Sequence, residues 1–195
     1  RVEVRRAQLR VPDADPGALE AYFRSREVTD LRLLWEPAEG RFAYSNIGYD
    51  LLGLVIAAVS GRTFEAFMDE RIFRPLGMQE TSFFTPGRDP KNLVSPHGRN
   101  PDKTVSVLPH YPYTRMHAPS STLTANLEDM GRWAAAHLSR AVLAPSAYDL
   151  AFAPAALVPN NGEHICLSWF SREQQGYTLY GHEGADDGFR SSLWL

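Results

Sequence analysis

Residues 41–61, RFAYSNIGYDLLGLVIAAVSG, constrain the chain more than any other stretch. Ile47, Leu51, Leu54, Val55 and Ala58 recur at helical spacing, which predicts a helix with one buried apolar face. Ser45 or Asn46 can cap its first amides, and Gly61 can end it in a left-handed turn. A short corner, Tyr44-Ser45-Asn46, is thus held at the head of a rigid helix. Such a placement points a phenol and an amide into a cleft with little freedom. Alone, three residues of this kind mark no more than an N-cap after a loop.

The chain has 195 residues, enough for one sizeable core. A net charge of −3 gives no reason to expect nucleic acid or an anionic membrane as partner. Cys166 is the single cysteine, so no internal disulfide can form, and its place within a strand predicts a small buried hydrophobe. No apolar run reaches transmembrane length. His97, His110, His117, His137 and His164 show no metal-ligand spacing, so no structural metal is expected, and no motif calls for a cofactor.

Ahead of the central helix, residues 1–10 are basic and mildly alternating. Pro12-Asp13-Ala14-Asp15-Pro16-Gly17 is a turn cluster, and Asp15 before Pro16 predicts a helix through Leu19, Tyr22 and Phe23. Residues 31–35 form a short apolar run, and Glu36-Pro37-Ala38-Glu39-Gly40 a loop. Beyond the central helix, Thr63 is expected to cap a second one. Phe64, Phe67, Met68 and Ile72 would be its buried stripe, with Pro75 and Gly77 ending it. Residues 85–115, rich in Pro, Gly and charge, read as a long loop of the kind that often serves function. Thr124 or Asn126 caps a third helix with Leu127, Met130, Ala134 and Leu138 inward. Pro145 to Phe152 reads as a short helix and residues 154–162 as a loop. From His164 the period changes to alternation, with Ile165, Leu167 and Trp169 on one face of a strand. Gln174-Gln175-Gly176 turns into a second strand over 177–182, and Asp186-Asp187-Gly188 into a third over 189–195. Helices first and an antiparallel sheet after them predict the α+β class.

The central stretch runs on through SGRTFEAFMDERIFRPLGMQETSFF, and the chain later reads YGHEGADDGF. Together these resemble the serine β-lactamase / penicillin-binding-protein family, in its class C-like esterase and peptidase branch. That family carries Ser-x-x-Lys, then Tyr-x-Asn, then Lys/His-x-Gly. Tyr44-Ser45-Asn46 matches the second motif and His182-Glu183-Gly184 the third. Pro75-Leu76-Gly77-Met78 and Thr81-Ser82-Phe83 resemble the linker after the family's second helix. The resemblance runs from about Trp35 to the C-terminus. It implies one partial domain over 1–195: the helical subdomain of the β-lactamase/transpeptidase-like fold over about 1–162, and part of its antiparallel sheet over about 163–195. No Ser-x-x-Lys occurs in these residues. Family members are much longer, so the expectation is an internal piece whose missing polypeptide completes the fold. The resemblance also implies a periplasmic or extracellular setting.

The roles follow from the same resemblance. A serine hydrolase needs a nucleophile, a base, and amide donors for the oxyanion. Tyr44 would be the proton-handling phenol, whose ordinary pKa of about 10 must be lowered by cations before it can act as a base. Asn46 would hydrogen-bond the family's lysine and the substrate's amide oxygen. His182 stands where relatives often carry lysine and would orient Tyr44. Gly184 would let the strand approach the substrate, and the amide of Ala185 would be one oxyanion donor. Glu183 replaces a small hydroxyl residue and His182 titrates near neutrality, which tilts the reading toward an esterase or peptidase over a β-lactamase. Ser120 and Ser121 have no lysine three residues on and read as turn-forming.

Three readings remain open. The first is a serine hydrolase acting on a small-molecule amide or ester, with its nucleophile outside this chain and the chain alone inactive. The second is a binding or scaffold protein of the same fold. The third is a structural domain without a ligand. A Ser-x-x-Lys upstream of Arg1 supports the first, and its absence the second.

Overall fold

In a computed structural model, residues 14–30, 32, 42–86, 88–159 and 161–195 are described. The basic segment 1–10, the apolar run 31–35 and the loop 36–40 lie outside or almost wholly outside these residues. Asp15 Oδ1 accepts from the Gly17 amide at 2.7 Å and so turns the chain into α1 (Ala18–Phe23). Ala18, Leu19 and Tyr22 are buried there, and Ala18 and Tyr22 form a cluster with Met116. A single further turn, α2 (Arg26–Thr29), follows.

The central helix, α3 (Asn46–Ser60), is capped by Ser45, whose side chain accepts from the Gly48 amide, and ends at Gly61 with φ 66°. Its inward face is not the expected one. Asp50 and Gly53 are the buried positions, while Leu51 and Val55 are about half exposed and Val59 is 81% exposed. The reason is steric. α5 (Ala118–Ser121) packs so closely on α3 that a Cβ on Gly53 would lie 2.2 Å from Pro119 Cγ. Only the glycine side of the helix admits that approach. Asp50 is drawn inward on the same side by His117.

Thr63 caps α4 (Phe64–Met68) as its spacing predicts, and the helix continues into a π-turn over Asp69–Phe73. Phe64 and Phe73 are buried against Phe83, at centroid distances of 4.9 and 5.7 Å, and Gly77 turns the chain at φ 70°. Thr81 and the Glu80 amide then donate to Asp129 in α6 (Leu127–Leu138), and Ser82 pairs with Thr124. Asn126 is the α6 cap. The buried residues of α6 are Asp129, Ala136 and His137, whereas Leu127 and Leu138, expected inward, are 89% and 69% exposed. α7 (Pro145–Phe152) has the bounds its sequence predicts.

Segment 85–115 carries a small hairpin of β1 (His97–Arg99) and β2 (Val105–Val107). The second sheet has five strands in sequential antiparallel order: β3 (Ala156–Leu157), β4 (His164–Ile165), β5 (Phe170–Gln174), β6 (Tyr177–Asp186) and β7 (Phe189–Trp194). It begins within the stretch read as loop. The single strand expected from His164 to Phe170 is instead two strands, folded at a tight turn. Cys166 N donates to Trp169 O at 2.7 Å, and Ser168 takes φ 68°. Alternation alone does not reveal a left-handed serine. Gln175 (φ 52°) and Gly176 (φ 83°) make the next hairpin turn, and Gly188 (φ 82°) the last. The helical layer meets the sheet through aromatic rings: Phe152 stacks on Tyr180 at 4.3 Å, and His137 lies edge-on to Trp169 at 5.1 Å.

Candidate active site

Tyr44 sits on the extended segment 42–45 that enters α3. His182 sits near the middle of β6, paired with Leu193 of β7. These residues are 138 positions apart, yet Tyr44 Oη lies 3.5 Å from His182 Nε2, with ring centroids 5.9 Å apart. This distance is at the outer limit of a hydrogen bond. Phe170 of β5 packs beneath His182 at 5.3 Å, and Phe42 meets Phe170 edge-on at 6.1 Å. Rings therefore link the entry to α3 with the sheet. Phe170 was not among the sequence-derived site residues. Its signal is its register, because it pairs with Gly181 beside His182.

Burial pushes the Tyr44 phenol above its ordinary pKa, and the neighbouring Tyr49 adds to the rise. The sequence reading required the opposite direction. No cation among the described residues offsets the burial, so at neutral pH Tyr44 holds its proton, and its hydroxyl lies within reach of His182 Nε2.

Asn46 is the first residue of α3; it is exposed, and its side chain makes no hydrogen bond among the described residues. Gly184 and Ala185 lie two and three residues beyond His182 on β6. Strand alternation puts His182 and Gly184 on one face and the Ala185 side chain on the other. A Cβ on Gly184 would lie 2.2 Å from Ser191 Oγ on β7, so part of the space at this glycine is taken by its own sheet neighbour. Ser45 Oγ is engaged as a helix cap, and the Ser120 and Ser121 hydroxyls both return to His117 O, at 3.4 and 3.2 Å.

A second pair was missed. Asp50, one turn beyond Asn46, is completely buried and holds His117 Nδ1 at 2.8 Å through Oδ2. A charged residue in the middle of an apolar helix was the available signal. Among the described residues, no group of three or more His, Cys, Asp or Glu side chains could hold a metal, and no single helix is long and apolar enough to cross a membrane.

The chain matches the family model described as beta-lactamase over residues 6–195. It is similar to the unguisins hydrolase ungD' of Aspergillus campestris, with 28% identity over 199 residues, covering 94% of this chain and 35% of that protein. It is also similar to Protein flp of Staphylococcus aureus, 25% identical over 179 residues, covering 88% of this chain and 34% of that one. Among solved structures, the octameric penicillin-binding protein homologue from Pyrococcus abyssi superposes with a TM-score of 0.78 at 23% identity, covering 95% of this chain and 42% of that one. This chain spans about a third of the length of the curated relatives it matches.

Proposed function

The chain belongs to the beta-lactamase family, a family of hydrolases, and from that premise we propose that it carries the tyrosine, asparagine and histidine of a serine-hydrolase site acting on a small-molecule amide or ester. The carrying observation is the meeting of Tyr44 and His182 across the boundary between α3 and β6. In this reading a serine hydroxyl, supplied from outside residues 1–195, attacks the substrate carbonyl. Its proton passes by way of the phenol to the leaving group, and an ester links serine to the acyl half until water releases it. Because Tyr44 rests protonated, it takes the serine's proton only with a cation against its oxygen, the place of the family's lysine. His182 accepts from the phenol and fixes its direction. Asn46, whose amide is unengaged among the described residues, holds the substrate's amide oxygen from the head of α3. The Ala185 amide is one oxyanion donor, and the nucleophile's own amide the other.

What supports a nucleophile from outside residues 1–195 is that Ser45, Ser120 and Ser121 are engaged in helix caps and turns, and that no lysine stands three residues after any serine. The same observation supports a second reading, a binding member of the fold without turnover.

In the full-length protein, Tyr44→Phe keeps the ring and removes the proton, and turnover of 4-nitrophenyl acetate should fall by roughly 10²–10⁴. His182→Ala should lower the rate and alter its pH profile. Parental turnover by Tyr44→Phe would remove the phenol from the mechanism. Binding of a fluorescent penicillin without any ester turnover would favour the second reading.

A further inference from the structure

A cavity of about 590 Å³ lies between the 108–117 segment and the turn after β6. Leu108, Tyr111, Tyr113, Met116 and His117 line it, with Asp187 at the turn. Neither candidate motif lines it, but each is joined to it by a nearby residue. Asp50, which holds His117, is one helical turn past Asn46, about 6 Å along α3. Asp187 is two residues past Ala185, about 7 Å along the strand direction.

Asp50 fixes the imidazole. Its carboxylate is fully buried, Oδ2 takes the His117 Nδ1 proton, and Oδ1 has no partner among the described residues. Tyr22 packs edge-on against the ring at 4.6 Å. The His117 side chain stays 22% accessible and lines the cavity, and Nε2 is not among the buried unpartnered atoms of the described residues. Nε2 takes no hydrogen bond among the described residues. A carboxylate on Nδ1 fixes the ring's orientation and leaves Nε2 as the nitrogen open to a ligand. Tyr111, Tyr113, Pro112 and Met116 give the walls flat and polarizable surfaces that suit a ring, with His110, Thr114 and Asp187 as further polar members.

We propose that this cavity receives the acyl half of the substrate, an aromatic ring bearing a hydroxyl, and that His117 accepts the hydroxyl's hydrogen bond through Nε2. This rests on the hydrolase reading above. The leaving group must sit where Tyr44 and His182 can pass it a proton. Ala185 is three residues further along β6, and the cavity lies beyond it. In this proposal the acyl-side group extends from the carbonyl away from Tyr44, past Ala185 toward the Asp187 turn, where His117 shares the cavity lining. An acyl ring without a donor leaves Nε2 desolvated and unpaired, so the pocket discriminates against it.

The test compares 4-nitrophenyl 4-hydroxyphenylacetate with 4-nitrophenyl phenylacetate on the full-length protein. The hydroxylated ester should have the higher kcat/KM, by about tenfold. The ratio is the readout because a general loss of structure lowers both values alike. His117→Phe should bring it near one. That variant leaves a buried carboxylate without its cationic or donor partner, so Asp50→Asn/His117→Phe is made beside it. Equal kcat/KM values in the parent protein, or a ratio unchanged in the double variant, overturn the proposal. Binding separates this inference from the hydrolase reading. On Tyr44→Phe protein, 4-hydroxyphenylacetamide should bind about tenfold more tightly than phenylacetamide by calorimetry. That preference, together with a parent protein that turns over neither ester, would sink the hydrolase reading and leave the pocket standing. Turnover without the preference would do the reverse.

Discussion

Asp129 is 1% exposed, yet its carboxylate takes hydrogen bonds from the Thr81 hydroxyl, the Glu80 amide and Arg132. Burial alone would raise its pKa. The Thr81, Glu80 and Arg132 contacts outweigh that and hold it below the ordinary carboxylate value. A depressed folded pKa contributes stability that is present above the unfolded value of about 3.8 and lost as pH falls through the folded one. Asp129→Asn should therefore cost about 1–3 kcal/mol in urea unfolding at pH 7 and less at pH 3. An equal cost at both pH values would contradict the assignment. Thr81 belongs to the linker motif that was legible in sequence, but its partner 48 positions away was not. Tyr44 and His182 were legible because residue type and order identify them. Asp50 and His117 were not, since an aspartate in an apolar helix announces a partner without naming it.

Within α3, the ends and the buried face carry different kinds of information. Ser45 and Gly61 set the ends by local hydrogen bonding and backbone freedom, so both were readable. The face was not. Leu51, Leu52, Val55 and Val59 give the helix an apolar side that solvent reaches, and the packed side is chosen by a glycine and a proline from another element. Hydrophobic periodicity cannot rank two apolar sides when the closest contact is made by the smallest residue. Gly53→Ala tests this. Alanine is the better helix former by about 1 kcal/mol, so an unpacked site would be stabilised. With Pro119 Cγ 2.2 Å from the added Cβ, we expect destabilisation of about 1–3 kcal/mol. A rise in the unfolding midpoint would show that α5 does not press on α3 there. The broken strand at 164–170 has the same origin. Its turn depends on Ser168 in the left-handed region, a state serine does not advertise.

Across the molecule, α6, α7 and the turn before β5 meet at His137, whose ring touches Trp133, Trp169 and Tyr148. Burial lowers its pKa below the ordinary 6.5, so acid favours the unfolded chain, which accepts the proton first. Stability should be complete above about pH 6.5 and decline below it, more steeply in the parent than in His137→Gln; equal slopes between pH 7 and 5 would refute this. Elsewhere the surface is less well covered. Leu51, Leu52, Val55 and Val59 on α3 are 48%, 55%, 49% and 81% exposed, and Leu150 on α7 is 63% exposed. Each such side chain gains about 1.5–3 kcal/mol on full burial, so a face of four is worth more than many weak interfaces need. A 195-residue chain produced by itself has one apolar surface of matching character at hand, that of a second copy. We expect concentration-dependent self-association in size-exclusion chromatography with light scattering. Leu51→Gln/Val55→Gln should shift the equilibrium toward monomer while leaving the Ser45 cap and the Gly53 contact intact. A monodisperse monomer at every concentration would mean that this face is stable in water as it stands, and that the helix was packed on its glycine side without any need for cover on the other.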